Sequence, residues 1–575
     1  MKLRRSEART SARQFRLRGY VVAGLFAAAA AGLITRAGYL QLVNDAYYQK
    51  KGDKAISRLV TVVARRGTIY DRNGEPLAVS VPVDSIVIDV PEMKKAGMED
   101  GLPILAKALQ VDAAWLESRV TSHPESHHVL LRARMDPDEA ARVTALRFPG
   151  ISAERAYKRY YPAGEVTGQL LGMTDFDDKG QEGLEFGFET ILGGEDGIKR
   201  VFTDGRGNVV AAGESQRAVR PGQDLNASID LRIQYLAYRE LKAAVQEYAA
   251  KSGSVIVLDA HTGEVLAEAV QPMFNPNDRE HSSKGFRNLA MLDTVEPGST
   301  LKSFWVAAGL ESGKLKPDSI IDTGPGYFKV ADKVLRDEHP IGAANLSTVL
   351  AKSSNVALAH IGLMLNKEQV YTLFSNLGFG KVSEAQYPAE AGGRLPHWSR
   401  WKEIDVATMS HGYGMSVTPF QLASAYTTLA AGGVRRPLTF RRLDGPAPAG
   451  TQVLSNRTSV ELVHMLESVI TEGTAKKAQV RGYSIAGKTG TIQKVIGGVY
   501  SKRYRGIFVG MVPATDPRLV ALIVIDEPSN GKYYGGDVAA PVFSNIMTGA
   551  LRLLSVMPDQ RQPVSTQAVQ AQALP

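Results

Sequence analysis

The chain of 575 residues contains no cysteine. That excludes a disulfide framework, a thiol nucleophile and a thiolate-bound metal, and it leaves the redox compartment open. Also missing is a compact basic stripe with interleaved aromatics, so nucleic acid is a poor fit as a partner. Histidine gathers only at His123, His127 and His128. Four-residue spacing can place two imidazoles on one helix face as metal ligands, but Pro124 interrupts the helix and no acidic ligand completes a recognisable pattern. A surface loop is expected there, and neither a metal nor a cofactor is expected anywhere.

What is present points to several domains, because a chain of this length exceeds one hydrophobic core. The formal net charge is +9. Part of that excess lies at the extreme N-terminus, and the rest favours a polyanionic surface. Lys2, Arg4, Arg5, Arg9, Arg13, Arg16 and Arg18 precede an uncharged run from 19 to 35, and the apolar pattern resumes after Arg36. A basic flank before an apolar span places the N-terminus in the cytoplasm and the rest outside. Residues 1–18 read as a cytoplasmic tail, 19–43 as a single transmembrane anchor and 44–58 as a polar, helical stem. Cleavage as a signal peptide at the small residues of 27–31 is the rival, but Gly32-Leu33-Ile34 continues the apolar run.

A first folded module is expected over 59–220. Residues 59–63 read as a strand, and Asn73-Gly74 between β-prone runs signals a hairpin. Strand-like alternation covers 79–90, helical character 99–119 and 136–146, and Gly205-Arg206-Gly207-Asn208 reads as another hairpin. The module is mixed α and β, extended, and carries no nucleophile with a base. A second module is expected over 221–556. A long amphipathic helix after Ser228 is followed by strands at 254–258 and 265–270, a long helical region, strands at 508–512 and 520–525, and a closing helix at 541–554. Strands at both ends with helices between them indicate one antiparallel sheet covered by helices, an α+β fold. Residues 557–575, rich in Gln, Pro, Ala and Val, read as a disordered tail.

Chemistry concentrates in the second module. In Glu296-Pro297-Gly298-Ser299-Thr300-Leu301-Lys302 a tight turn delivers a serine to a helix start. Leu301, Phe304, Trp305 and Ala308 give that helix one apolar face. Ser299 and Lys302 lie one turn apart, so the amine is within reach of the hydroxyl as its base. The helix N-terminus adds N–H groups where an oxyanion would form. The spacing alone is weak, since Ser399…Lys402 and Ser529…Lys532 share it. Two further motifs single out Ser299. Ser353-Ser354-Asn355 sits between helical runs at 346–351 and 356–365. Lys488-Thr489-Gly490-Thr491 ends a strand-like stretch, 483–486. Ser353 can relay a proton, and Asn355 offers an amide donor and acceptor to a peptide. Lys488 offers charge to a carboxylate and lowers the pKa of Lys302, Thr489 and Thr491 add hydroxyls, and Gly490 allows close backbone approach. Ser-x-Asn occurs once. Lys-Ser/Thr-Gly occurs twice, but the copy at 251–253 precedes Ser299, in the wrong order. In this order the three motifs form the known serine-acyltransferase set of β-lactamases and penicillin-binding proteins.

With those motifs, the chain resembles the class B penicillin-binding proteins, most of all the septal type, the FtsI family (penicillin-binding protein 3), over roughly 20–555. Arg66-Gly67-Thr68-Ile69-Tyr70-Asp71-Arg72-Asn73-Gly74, Arg159-Tyr160-Tyr161-Pro162-Ala163-Gly164 and Gly183-Leu184-Glu185 are similar to the family's pedestal motifs, and Gly412-Tyr413-Gly414 to its later glycine motif. The resemblance implies a pedestal of the dimerisation type carrying a serine β-lactamase-like transpeptidase domain. It implies a D,D-transpeptidase anchored in the inner membrane with a periplasmic catalytic domain. It implies D-Ala-D-Ala stem peptides of peptidoglycan as substrates, β-lactams as inhibitors, and a membrane glycosyltransferase and other division proteins as partners. Catalytic roles fall on Ser299, Lys302, Ser353, Asn355 and Lys488; substrate contacts fall on Thr489, Gly490, Thr491 and Tyr413. Tyr504, Tyr533 and Tyr534 resemble the family's aromatic wall by position. Ser303 departs from the proline that many relatives carry after the lysine. A serine β-lactamase shares the motifs but normally lacks the 59–220 module, and a sensor or divisome scaffold has no need of all three motifs.

Overall fold

The computed structural model describes residues 3–43, 47, 52, 57–203, 209–278 and 287–560. Most of the expected stem, the hairpin at Gly205-Arg206-Gly207-Asn208 and the tail from 561 lie outside the described residues. Packing divides the chain into two compact units, residues 1–64, 82–157 and 195–220, and residues 65–81, 158–194 and 221–575. The segments 65–81 and 158–194, which fall within the expected first module, therefore pack with the C-terminal unit.

The first unit begins with helix α1 (Leu3–Gly38), followed by a π-helical turn at Tyr39–Val43. Among the described residues, Phe15–Leu42 is the one helical span long and apolar enough to cross a membrane. Its large side chains, including Leu25, Phe26, Leu33 and Ile34, are exposed. Strands Ser57–Val62, Gly197–Thr203 and Val209–Arg217 form an antiparallel sheet. The expected helical stretch 99–119 is broken. Gln110 adopts a left-handed conformation (φ 54°) that ends helix Leu102–Leu109, and the Asp112 carboxylate accepts from Trp115 N to start Ala113–Thr121. The three histidines diverge: His127 meets Asp89 and His128 meets Glu154.

The second unit is built on five strands, β1 (Ser252–Asp259), β2 (Val265–Gln271), β3 (Ala486–Ile496), β4 (Val499–Val512) and β5 (Leu519–Asp526). They pair antiparallel in the order β2-β1-β5-β4-β3, which leaves β3 at an edge. Helices α2 (Leu231–Glu247), α3 (Lys302–Glu311), α4 (Leu346–Lys352), α5 (Asn355–Met364), α6 (Pro419–Ala430), α7 (Asn456–Thr471) and α8 (Ala540–Leu553) surround it. α2 packs on β1 and β2 and α8 on β4 and β5, whereas α6 packs on β1 and β5. Covered in this way, every residue of β5 is buried, which is why its sequence reads as a continuous apolar run instead of an alternation.

Two differences from the sequence reading matter for the site. Residues 483–486 do not form the strand that precedes the Lys-Thr-Gly motif. β3 starts at Ala486, so Lys488, Thr489, Gly490 and Thr491 lie inside the strand, with Lys488 opposite Val509 and Thr491 opposite Gly506. Residues 557–560, where the tail was expected to begin, are bonded to the domain. Asp559 accepts from Ser484 N (2.8 Å) and Thr515 Oγ1 (2.9 Å), and Gln560 N donates to Gly482 O.

The pedestal-motif residues converge on one buried carboxylate. Glu185 takes Arg66 Nε at 2.7 Å and Arg159 Nε at 2.6 Å, and all three side chains are nearly inaccessible. Arg66 also reaches Glu189 at 2.6 Å and the Asp178 carbonyl at 3.0 Å. A buried charge group of this kind is tolerated only while every partner stays in place.

Candidate active site

Two glycines seat the nucleophile turn. Gly298 has φ 55°, and a Cβ there would sit 2.6 Å from Ile492. Its N–H donates to Gly412 O at 2.9 Å, and a Cβ on Gly412 would lie 1.9 Å from Gly298 O. Neither position accepts a side chain, so the later glycine motif serves to seat this turn. Residues Gly298–Leu301 form a 3₁₀ turn that runs into α3. α3 was expected to bury one face; instead Lys302 through Gly309 are all buried, because α5, α7 and helix Lys367–Asn376 also pack on it. Ser303 is wholly buried. Tyr426 Oη donates to Thr300 O (2.7 Å), leaving its oxygen to accept from Ser303 Oγ (2.9 Å). The serine thus anchors the turn through a tyrosine of α6.

Lys302 is fully inaccessible to solvent. Its Nζ lies 2.6 Å from Ser353 O, 3.2 Å from Ser353 Oγ and 2.7 Å from Asn355 Oδ1. Among the described residues no hydrogen bond joins it to Ser299, which is half-buried at the start of the turn. Lys488, equally buried, places Nζ 3.1 Å from the same Ser353 Oγ and 3.2 Å from Thr489 O. Two amines thus share one hydroxyl, and among the described residues no carboxylate is hydrogen-bonded to either. Burial, then the charge of Lys488, holds the Lys302 amine well below its ordinary value, against a smaller opposing pull from Asp337. Burial brings Lys488 down to about 7. Ser353 itself sits in the left-handed region at φ 57°, capping α4, a conformation a serine holds only when its surroundings impose it.

Sequence reasoning missed Asp337. Its carboxylate accepts from Asn355 N (2.6 Å), Val356 N (3.0 Å) and Ser354 Oγ (2.7 Å), and Asn355 Nδ2 donates to the neighbouring Arg336 O (3.0 Å). A carboxylate at the start of α5 satisfies the helix's free N–H groups and orients Asn355. His411 was missed as well. Burial and the Lys302 charge push its imidazole down to about 4, so it is neutral near pH 7.

The other expected contacts lie along β3 and its rim. Thr489 Oγ1 is bonded to Thr474 Oγ1 (2.6 Å), and Thr491 Oγ1 accepts from Gly535 N (3.1 Å). A Cβ on Gly490 would meet Thr300 at 3.2 Å, so this glycine brings β3 close against the nucleophile turn. Tyr504 and Tyr533 stack at 4.2 Å and Tyr533 and Tyr534 at 4.5 Å. Tyr413 makes an edge contact with Tyr500, whose hydroxyl reaches Glu296 at 3.3 Å. The structure therefore gathers Ser353, Asn355 and Lys488 around Lys302, one turn from Ser299, and sets the tyrosines in two separate ring groups.

A serine at a tight turn, a buried amine pair and an edge strand carrying Lys-Thr-Gly define a serine acyltransferase of the penicillin-recognising class. The chain belongs to the penicillin-binding proteins: the family model for the penicillin-binding protein transpeptidase domain matches residues 253–548, and that for the dimerisation domain residues 61–227. Similar curated proteins include the probable peptidoglycan D,D-transpeptidase PenA of Neisseria meningitidis, 38% identical over 94% of this chain and 93% of that one. The peptidoglycan D,D-transpeptidase FtsI of Escherichia coli is also 38% identical, over 94% of this chain and 92% of that one. Among solved structures, the transpeptidase domain of Burkholderia pseudomallei penicillin-binding protein 3 is 39% identical, with a TM-score of 0.55, covering 58% of this chain and 98% of that one.

Proposed function

We propose that the chain is a peptidoglycan D,D-transpeptidase that forms an acyl-enzyme at Ser299 and cross-links stem peptides during septal wall synthesis. One observation carries this reading: Lys302 is buried with no carboxylate bonded to it among the described residues, and it shares Ser353 Oγ with Lys488. A buried ammonium is costly, so the amine sheds its proton and becomes a base. With Lys302 neutral, Lys488 donates to Ser353 Oγ and the Ser353 hydroxyl donates to Lys302, which makes a continuous proton path.

Ser299 Oγ attacks the carbonyl between the two terminal D-alanines and passes its proton to Lys302. The backbone N–H groups of Ser299 and Thr491 receive the oxyanion. Collapse breaks the peptide bond, and the leaving D-Ala amine takes its proton back through Ser353. The substrate carboxylate lies against Thr489 and Thr491 near Lys488, and an extended peptide adds to the free edge of β3. Asn355 holds the peptide amide, and Tyr413, Tyr504 and Tyr533 flank it. A primary amine from a second stem peptide then attacks the ester, forming the new peptide bond and returning the proton to Ser299. A β-lactam keeps its leaving group tethered, so its ester persists.

In this reading α1 is a single-pass inner-membrane anchor, the N-terminus is cytoplasmic and the catalytic domain periplasmic. Residues 59–220 are the pedestal on which a membrane glycosyltransferase and other division proteins dock. Labelling with a fluorescent penicillin tests the assignment. Ser299→Ala is expected to abolish labelling, and the wild-type ester is expected to last many minutes to hours. Turnover many times per second would make the protein a β-lactamase. A long-lived ester with no cross-linking of peptidoglycan substrate would reduce it to a sensor or scaffold.

A further inference from the structure

The two walls of the cleft are tied together at their outer rim. On one side Asp337 holds the Ser-x-Asn loop through Ser354, Asn355 and Val356. On the other, Gly535 N donates to Thr491 Oγ1, so the segment carrying Tyr533 and Tyr534 is fastened to β3. The residues next to these two fasteners meet: Tyr534 Oη donates to Glu338 Oε1 at 2.7 Å. Both are exposed, Tyr534 by 40%, whereas Lys302 and Lys488 below are fully buried. The Tyr534 ring is one end of the Tyr504–Tyr533–Tyr534 stack, and its hydroxyl also lies 3.4 Å from Tyr533 Oη. The hydrogen bond with Tyr533, and after it the one with Glu338, raises the Tyr534 phenol well above its usual range, so the hydroxyl stays a donor.

We propose that Glu338 and Tyr534 form a clasp across the mouth of the cleft, which an incoming ligand opens, and that the released Glu338 carboxylate favours amine-bearing over carboxylate-bearing side groups that pass it. An exposed hydrogen bond of this kind contributes little net stability, so it opens readily. Opening leaves a carboxylate beside the path to Ser299, with the tyrosine stack as the opposite wall. A transpeptidase needs this polarity, since its acceptor is a primary amine that arrives as an ammonium ion. The proposal rests on acylation at Ser299, which the Ser299→Ala labelling tests separately; failure of the clasp leaves that labelling intact.

The experiment uses the full-length protein in detergent and two penicillins that share a phenylacetyl side chain, one α-amino and one α-carboxy. The second-order acylation rate constants are measured for each. Two units of ligand charge at roughly 6 Å from a carboxylate in a water-like medium separate the pair by about tenfold. Glu338→Gln keeps an acceptor for Tyr534 but removes the charge, and is expected to cut the amino-to-carboxy ratio by about tenfold. Tyr534→Phe keeps the ring and the charge, and is expected to raise both rates while preserving the ratio. An unchanged ratio in Glu338→Gln overturns the selection, and unchanged rates in Tyr534→Phe overturn the clasp. Should either variant fail to fold, the wild-type ratio is followed from low to high salt. It must shrink as the charges are screened, and a flat response overturns the selection.

Discussion

Replacing Lys488 by methionine tests whether one amine sets the basicity of the other. Both Nζ atoms bond Ser353 Oγ, at 3.2 and 3.1 Å, so they lie no more than about 6 Å apart. At an effective dielectric of about 20, two unit charges at that separation repel by about 3 kcal/mol. Lys488 therefore depresses Lys302, which must be neutral to take the Ser299 proton. Removing the Lys488 charge lets Lys302 hold its proton to higher pH. The acid limb of the acylation profile is expected to move to higher pH. Acylation at neutral pH falls for this reason and also because the substrate carboxylate loses its cation. The two losses separate, since the second lowers the plateau without moving the limb. Single-turnover acylation by a fluorescent penicillin, followed across the pH range, reads both. A limb that stays in place, or moves to lower pH, would refute the reasoning: it would mean that burial alone sets Lys302.

Glu268 is fully buried, donated to by Asn288 Nδ2 at 3.0 Å, and burial pushes it up to about 8. A raised carboxyl stabilises below its unfolded value and loses that contribution as pH rises toward 8, so Glu268→Gln is expected to gain roughly 3 kcal/mol over wild type between pH 4.5 and 7. Urea unfolding at the two pH values checks this, and a difference that does not change with pH contradicts it. Asp337→Ala strands the Asn355 and Val356 amides, and acylation is expected to fall about tenfold or more while the unfolding temperature drops by only a few degrees; wild-type acylation would remove Asp337 from the site. Arg66→Ala leaves the inaccessible Glu185 one partner short and is expected to cost about 3–5 kcal/mol, with penicillin labelling per folded molecule unchanged; a selective loss of labelling would place this cluster in the catalytic path.

Much of the fold was readable where the pattern is local. The all-apolar run of β5 and the helical spacing of apolar residues in α2 each depend on residues within a few positions of one another, and both elements sit where their patterns place them. The errors fall where local signals compete. Residues 99–119 carry helical composition throughout, yet Asp112 caps a new helix and Gln110 turns left-handed to end the previous one. α3 reads as amphipathic because Lys302 and Ser303 are polar, but both lie inside: one amine is satisfied by the Ser-x-Asn loop and one hydroxyl by Tyr426. Polar residues in a sequence cannot declare partners that arrive from other helices.

The site divides along the same physical line. Its residue types were legible because acyl transfer demands a hydroxyl, a base and a carboxylate anchor, and these stand in short motifs. The basicity of Lys302 was legible only as an expectation about charge, whereas burial is its larger cause. Burial is a collective property: it needs α3 enclosed on every side, Gly298 and Gly412 closed without a Cβ between them, and Gly490 drawing β3 onto the turn. Asp337 was invisible for the same reason. It stands eighteen residues before Asn355 in a polar stretch with no spacing of its own, and its role exists only once the chain returns it to the start of α5. That placement sets its two effects on the site against each other. Its carboxylate orders the Ser-x-Asn loop, yet its charge raises Lys302 and opposes the burial that makes the amine a base. The loop is thus ordered at some expense to the base, and the compromise holds because desolvation outweighs the carboxylate's pull.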